Sequence, residues 1–409
     1  MDATTPDWPL RDAAHEQPSP PCLPDYGGGS ILNLMQTIAD ACRDAPPAST
    51  PAYAPLPDLP AAELAMVTNL VLLVVDGLGY NYLTTRGVGT VMHRCLRRRL
   101  TSVFPSTTAS AVTTYLTGLA PRQHGLTGWH MYFKEADAVA AVLPLLVRQG
   151  EPSAPTMLLP RLLFQHPSFF DTIDRPSWIL SPASIVDSGF SRYHSGRATR
   201  VRFTTLPQMF ETTSSIVRGD LRRKYVYVYY PELDSLSHIH GVSSEKVAAH
   251  LSELDEDFDR FLTQVAGTDT LVLVCADHGF IDAPPKRLVN LDDHPQLAKQ
   301  LRQPLCGEQR VAYCYVRPGM ESAFEDYVRS RLAHCAALYR SEDLVARGWF
   351  GPGAGHPHLL DRLGDYTLVM GEDWTIKDWL PGERRYSLLG VHGGVSADEM
   401  YVPLLMAQA

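Results

Sequence analysis

Apolar residues along this chain gather into three runs long enough to be strands covered on both faces. Leu70-Val71-Leu72-Leu73-Val74-Val75 has no polar interruption and ends in Asp76-Gly77, the pattern of a parallel strand with helices above and below it. Tyr225-Val226-Tyr227-Val228-Tyr229-Tyr230 runs into Pro231-Glu232-Leu233-Asp234, and Thr270-Leu271-Val272-Leu273-Val274-Cys275-Ala276 runs into Asp277-His278-Gly279. Between the last two, Val247, Leu251, Leu254, Phe258 and Leu262 recur at helical spacing behind Ser243 and Ser244, and Gly267 closes the stretch. Strand, helix, strand in that order predicts a right-handed βαβ unit. The fold class expected is therefore α/β, a doubly wound, mostly parallel central sheet with helices on both faces.

The pattern elsewhere divides the chain. Residues 1–60 read as a proline-rich arm carrying one helix, in which Ser30 caps Ile31, Leu34, Met35 and Ile38 at i, i+3, i+4, i+7 spacing. Residues 61–409 read as one catalytic-sized domain. Within it, about 130–215 and 285–385 are mixed in pattern and are expected to be inserted α+β segments, the second holding a strand near Arg310 to Val316, a helix near Glu321 to Ala336 and a strand near Asp365 to Met370. Phe104-Pro105-Ser106-Thr107-Thr108-Ala109-Ser110-Ala111 reads as a strand end that breaks at proline and turns into a helix lasting to Thr117, with Gly118 as its terminator. Hydroxyls then stand where unpaired N–H groups and the positive end of the helix dipole favour negative charge. Simple capping by Ser or Thr explains this stretch taken by itself.

Composition narrows the class without changing the fold. The chain has 409 residues, 45% hydrophobic and 20% charged, enough for a large globular core. Its net charge of -9, from 36 basic and 45 acidic residues, offers no nucleic-acid or anionic-membrane surface. Arg97-Arg98-Arg99 reads as a solvated face. Cysteines at 22, 42, 95, 275, 306, 314 and 335 form no C-x-x-C pair and fit a reducing compartment. An acidic, proline-rich start without an apolar core predicts no signal peptide, and no apolar run is long enough to span a bilayer. The expectation is a cytoplasmic protein acting on a small molecule.

Chemistry enters with the residues at the strand ends. Asp76, Asp234 with His238 (D-x-x-x-H) and His240, Asp277 with His278, and His392 join the hydroxyls at 106–108. A lone Asp after a strand is ordinarily the next helix's cap, and a lone His beside Gly an ordinary loop residue. Together they are carboxylates and imidazoles without cysteine, delivered to one rim of an open sheet, where ligands gather. Such a shell suits zinc, with manganese as the alternative, and holds too many ligands for one tetrahedral ion. Two divalent ions stabilise the attacking and leaving oxygens of phosphoryl transfer, and a coordinated Ser or Thr hydroxyl would be an activated nucleophile.

The order Asp76, hydroxyl turn, Asp234-x-x-x-His238, Asp277-His278, His392 resembles the alkaline phosphatase superfamily, and within it the type I phosphodiesterase and nucleotide pyrophosphatase branch. Leu116-Thr117-Gly118-Leu119-Ala120-Pro121-Arg122-Gln123-His124-Gly125 is similar to the signature T-G-L-x-P-x-x-H-G of that branch, and the likeness spans about 68–405. The resemblance implies an alkaline phosphatase-like fold and two zinc ions, one held by Asp234, His238 and His392, the other by Asp76, Asp277 and His278. It implies Thr108 as nucleophile and ligand of the second ion, because the family places that residue nine positions before the Thr of the T-G pair. Thr107 and Ser106 are left with capping and strand-end roles, His240 with a place behind the ligands, and His124 with a structural one. The implied activity is hydrolysis of phosphate diesters or nucleotide-type pyrophosphates through phospho-threonine. A phosphomonoesterase, a phosphonate hydrolase, a phosphomutase and an inactive binding protein on the same fold are the alternatives. The absence of C-x-P-S-R disfavours a sulfatase. The chain departs from the branch at Ala111 and Trp129, where asparagines are usual; the Trp129 indole is left as the substrate-facing donor.

Overall fold

The computed structural model describes residues 20–45, 53–150 and 159–409. The greater part of the arm expected at the N-terminus, including Pro6, Pro9 and Pro18, and the middle of the 45–60 linker lie outside these residues. The helix after Ser30 runs Ile31–Cys42 and buries Ile31, Leu34, Met35 and Ile38 in the same core as the central sheet.

Seven strands form that sheet, in the order Leu96–Thr101, Tyr401–Gln408, Thr270–Cys275, Asn69–Val75, Lys224–Tyr230, Ser177–Pro182, Thr199–Phe203. The five from Thr270–Cys275 onward are mutually parallel. Tyr401–Gln408 is antiparallel to both its neighbours. Every residue of Asn69–Val75, Lys224–Tyr230 and Thr270–Cys275 is buried. Each fully buried Leu or Val there contributes roughly 1.5–3 kcal/mol, which is why uninterrupted apolar runs select these central positions. Register matters more for function than burial does. Val75 pairs with Tyr230 and Val74 with Cys275, so all three strands end at one level and release Asp76, Pro231 and Ala276 at a single rim. The helix Glu245–Val265, capped by Ser244, returns the chain between the second and third of them.

Arg97, Arg98 and Arg99 sit in the edge strand, where Arg98 pairs with Asp58 and Arg99 lies 3.9 Å over the Tyr401 ring. Arg97 and Arg99 are exposed and Arg98 is half-buried, as expected of a solvated face, with the Arg98 and Arg99 stems packed against neighbouring elements.

The span of about 130–215 divides between two sheets. Ser177–Pro182 and Thr199–Phe203 extend the central sheet, whereas His130–Phe133, Ala138–Ala141 and Leu146–Gln149 join Cys306–Gly307, Val311–Cys314, Tyr366–Met370 and Ala336–Arg340 in a second, seven-stranded antiparallel sheet. Segments some 170 residues apart thus meet at the pairing of His130 with Gly307. That junction stands beside the rim. The helix Thr108–Thr117 is wholly buried and ends at Gly118, whose φ of +67° is a left-handed C-cap that glycine adopts without a steric penalty.

Candidate metal centre and nucleophile

The rim collects side chains from four elements. Asp76 follows the first central strand, held by its N–H to the Tyr230 carbonyl at 2.9 Å. Asp277 follows the third, and its Oδ1 accepts from the N–H groups of Gly77 and His278, both at 3.0 Å. Asp234 and His238 lie one helical turn apart on Glu232–His240, which puts them on one face, with His238 Nε2 3.4 Å from Asp234 Oδ1. His392 comes from the loop before the last strand, its Nε2 3.6 Å from the same oxygen. His278 stands in the middle: Nε2 is 3.3 Å from Asp76 Oδ1, 3.3 Å from Asp277 Oδ2 and 3.1 Å from Thr108 Oγ1. Its ring stacks on that of His392 at 3.7 Å.

The tautomers follow from the backbone. His278 Nδ1 is 3.0 Å from the Gly279 carbonyl and His238 Nδ1 2.8 Å from the Gly390 carbonyl. A carbonyl only accepts, so both Nδ1 atoms carry hydrogen in the neutral rings and both Nε2 lone pairs face carboxylate oxygens. This is how metal-binding imidazoles are oriented. The rest of the donor set agrees. Asp76 Oδ1, Asp234 Oδ1, Asp277 Oδ2 and His392 Nδ1 are buried without a hydrogen-bond partner. Among the described residues no Lys or Arg is paired with any of the three acids; only imidazoles approach them. Burial, then the charges of Asp277 and Asp234, holds the Asp76 carboxyl well above its ordinary range, although the Tyr229 hydroxyl donates to its Oδ2. Burial likewise raises Asp234, with His238 and His278 opposing. His392 is pushed well below its usual value by burial and by His278 and His238. Three clustered acids and lone-pair imidazoles need positive charge that the protein does not supply, and divalent cations fit that need.

Two groups have ligand atoms close enough to share an ion: Asp76, Asp277 and His278, and Asp234, His278 and His392. The first is the set expected for one metal. The second differs from the expected Asp234, His238 and His392, because His278 reaches both and His238 stands alongside through Asp234. The stacking of His278 on His392 draws the two sets together. His240 belongs to neither group, and His124 is buried away from the rim, its Nε2 3.3 Å from Thr114 Oγ1 and its Nδ1 accepting from Leu126 N–H.

Of the three hydroxyls, Thr108 alone reaches the acids and imidazoles, at the first residue of its helix. Thr107 is the N-cap by position, but its side chain caps nothing: Oγ1 donates to Glu308 Oε1 at 2.6 Å. Ser106 Oγ donates to the Gly394 carbonyl at 2.8 Å, tying the helix start to the His392 loop. The capping role expected for Thr107 is therefore corrected, and Glu308 is the residue that competes for it. Glu308 was invisible in the sequence pattern because the hairpin that carries it is placed by long-range pairing. The same Oε1 accepts from the Trp129 backbone N–H at 2.7 Å. Burial lifts the Glu308 carboxyl to about 7, against these two hydrogen bonds. Ala111 is fully buried in the core and presents nothing polar to the rim. Trp129 is 38% exposed and forms a wall common to two cavities that open on either side of Thr108. The larger, about 540 Å³, is bounded mainly by apolar residues such as Val112, Leu143, Ile179, Ile185 and Phe190. The smaller, about 280 Å³, is bounded by Asp234, His238 and His392 on one side and by Glu308, Lys377 and Tyr386 on the other. Phe280, two residues after His278, lies edge-on to His238 at 4.9 Å and His392 at 5.1 Å.

The sequence matches the type I phosphodiesterase / nucleotide pyrophosphatase family over residues 70–394. No curated protein is significantly similar in sequence. Solved structures share the fold. Human ectonucleotide pyrophosphatase / phosphodiesterase 5 aligns with a TM-score of 0.61 at 19% identity, covering 82% of this chain and 87% of that one. An inactive murine counterpart in complex with AMP gives 0.60 at 17%, with the same coverage. Phosphonoacetate hydrolase from Sinorhizobium meliloti with phosphonoacetate gives 0.58 at 16%, covering 82% and 89%.

Proposed function

Because the chain belongs to the type I phosphodiesterase / nucleotide pyrophosphatase family, we propose that it is a two-metal phosphodiesterase or nucleotide pyrophosphatase that works through a covalent phospho-threonine at Thr108. The observation that carries this reading is the placement of Thr108 Oγ1, 3.1 Å from His278 Nε2 at a helix N-terminus, within a ring of acids and imidazoles that lacks its positive charge. Asp76, Asp277 and His278 would hold one divalent ion with Thr108 beside it, and Asp234, His238 and His392 the other; zinc suits the donors, with manganese as the alternative. The ions would supply Lewis-acid stabilisation of phosphoryl charge and make the hydroxyl acidic.

The chain's own residues do the rest. Thr108 gives up its proton to solvent and attacks phosphorus; the bond to the leaving oxygen breaks and that oxygen takes a proton from solvent. Water later attacks the phospho-threonine, breaking its P–O bond to Thr108, which regains a proton. The first N–H groups of the Thr108–Thr117 helix have no intrahelical partner and favour developing negative charge there. Phe280 keeps the imidazoles of His238 and His392 in place. Two cavities flank Thr108 with Trp129 between them, so phosphorus with two substituents has a seat for each. This favours diesters over monoesters, and AMP in a structural relative fits a nucleotide-type substrate. A phosphonate hydrolase is the second reading, favoured by Trp129 and Ala111 where the phosphodiesterases carry asparagine amides. The whole catalytic unit is assigned to about 61–409. Its seven cysteines, scattered without a C-x-x-C pair, support a cytoplasmic setting; no helix among the described residues is long and apolar enough to cross a membrane.

Purified protein supplied with zinc is expected to hydrolyse bis(4-nitrophenyl) phosphate faster than the monoester or phosphonoacetate. Thr108→Ala should lose roughly 10³-fold or more in kcat while keeping its Tm. Chelation should abolish turnover, and elemental analysis of the reloaded protein should find two ions per chain. A fully active Thr108→Ala protein would sink the covalent mechanism, and preference for phosphonoacetate would move the assignment to the second reading.

A further inference from the structure

The smaller cavity contains a charge that the chemistry at Thr108 does not use. Lys377 ends the short strand Thr375–Lys377, is only 8% exposed, and lines this cavity opposite Asp234, His238 and His392. Buried lysines are almost always paired, because an ammonium taken out of water without a counter-ion costs several kcal/mol. Among the described residues Lys377 Nζ has no hydrogen bond and no ion pair. Its neighbours are ring faces, with Nζ 5.4 Å from the Trp379 centroid and 5.7 Å from that of Tyr386.

Acids are near, but Asp378 and Glu383 are committed to Arg148, and among the described residues none makes an ion pair with Lys377. Asp378 receives Arg148 Nη2 at 2.8 Å and the Leu305 N–H at 2.9 Å. Glu383 is gripped by Arg148 Nε and Nη2 at 2.7 and 3.0 Å and accepts from Leu380 N–H. Glu308 spends Oε1 on Thr107 and Trp129. Arg148 adds a second cation behind the lysine. Burial, and after it Arg148, lowers the Lys377 pKa, against the opposing carboxylates of Asp378, Glu383 and Glu308. The aromatic faces of Trp379 and Tyr386 hold the ammonium in place without neutralising it.

We infer that Lys377, framed by Trp379 and Tyr386, is a specificity-determining subsite for a second anionic group, a carboxylate or phosphate, on the substrate's leaving group. The side is set by the cavity walls, since His238 and His392 line this cavity alone, Asp76 lines the larger one and Asp234 lines both; the ion that Asp234, His238 and His392 would hold, away from Thr108, would stabilise the leaving oxygen. The larger cavity, with mainly apolar walls that also include Arg200 and six serines, takes the substituent that stays on phosphorus. The substrate class is thus a diester or phosphonate that is apolar on one side and acidic on the other. This rests on the proposed phosphoryl-transfer reading for its orientation, and on Lys377 alone for its charge.

The test uses two aryl methyl phosphates whose leaving groups are 3-carboxyphenol and its neutral isostere 3-carbamoylphenol. In the wild-type zinc-loaded protein the ratio of kcat/KM, carboxylate over carboxamide, should be about ten or more, as one charge-assisted hydrogen bond supplies. Lys377→Met should bring the ratio to about one, and Lys377→Arg should retain most of it. Calorimetric binding of 3-carboxyphenyl phosphonate to the metal-loaded Thr108→Ala protein provides a second readout, and should weaken about tenfold on adding Lys377→Met. A wild-type ratio at or below one, or a Lys377→Met ratio equal to wild type, overturns the subsite while leaving the hydrolase reading intact. Lys377-dependent binding without turnover of either ester overturns the hydrolase reading and keeps the subsite.

Discussion

Gly77 shows how much of the rim depends on one backbone position. It follows Asp76, has φ +77°, and donates its N–H to Asp277 Oδ1. A Cβ there would meet Phe280 Cε2 at 2.6 Å and the Asp234 backbone at 3.3 Å. Phe280 is the ring against which His238 and His392 pack, so the side chain that would have to yield is the one that positions two imidazoles. Gly77→Ala is expected to cost about 1–2 kcal/mol of backbone strain and, through the displaced ring, to weaken zinc affinity at least tenfold in competition with a chromophoric chelator. Gly89 makes the comparison: its φ is +91°, but nothing lies within 4 Å of the added carbon. Gly89→Ala should lose similar stability and keep wild-type zinc affinity. Equal zinc affinity in the two variants would remove Phe280 from any role at the rim.

At the scale of elements, the hairpin of the second sheet is locked to the His392 loop by a buried ion pair. Arg310 Nε and Nη2 lie 3.0 and 3.1 Å from the Glu399 carboxylate, both side chains are essentially inaccessible, and Glu399 Oε1 also accepts from Gly394 N–H at 2.8 Å. Arg310 further donates to the Trp374 carbonyl. Arginine beside it holds the Glu399 carboxyl below its ordinary value despite burial. Arg310→Met strands that charge and should cost about 3–5 kcal/mol in urea denaturation. Adding Glu399→Gln should recover more than half, and strict additivity of the two losses would show that the pair is not coupled. This lock belongs to the part of the molecule that sequence reading could not reach. Asp76, Asp234 and Asp277 were legible because each follows a strand whose burial on both faces leaves an unbroken apolar run, and Asp234 with His238 because four residues make one helical turn. Thr108 needed the family's spacing, since three adjacent hydroxyls are equivalent until the helix start is fixed. Glu308 and Lys377 carry no such local signal. Glu308 follows a strand of two residues and Lys377 ends one of three; the first is placed by its pairing with His130 and the second by Leu288–Asn290, both far away in sequence. The bond of Thr107 to Glu308 was misread as a cap for the same reason.

At the scale of the whole molecule, four buried histidines from distant segments meet beneath the rim and make folding sensitive to pH. His124 follows the signature turn, His166 and His194 come from the segment leading into the central sheet and within it, and His356 comes from the far insertion. Ring centroids of His124 and His166 are 6.2 Å apart, and those of His166 and His194 5.2 Å. Burial keeps all four neutral: His166 is lowered to about 4 and His356 to about 3, both with Arg362 adding to the effect, while His124 and His194 are lowered well below the usual value, burial leading and the neighbouring imidazoles following. In the unfolded chain each titrates near 6.5. Above that pH neither state binds the proton, and stability is complete. As pH falls below 6.5 the unfolded chain takes up protons that the folded one refuses, so stability declines until the folded values near 3 to 4 are reached. Each imidazole contributes on the order of 1 kcal/mol per pH unit in that window. The paired carboxylates Glu383, lowered to about 2 first by its hydrogen bond to Arg148, and Glu399 act in the same direction but only below the ordinary Glu range near 4.5. Glu308, raised to about 7 by burial, and the raised Asp76 and Asp234 bind protons in the folded chain as pH falls and oppose the decline, so the slope at pH 5–6.5 is the histidine uptake less theirs. Calorimetry of the metal-free protein should find a lower Tm at pH 5.5 than at 7.5, by roughly 1 °C for each kcal/mol of net proton uptake in a chain of this length. His166→Asn should flatten the slope by about one proton, since its ring nitrogens have no hydrogen-bond partner to lose. A His166→Asn slope equal to that of the wild type would mean that this imidazole is protonated in the folded chain.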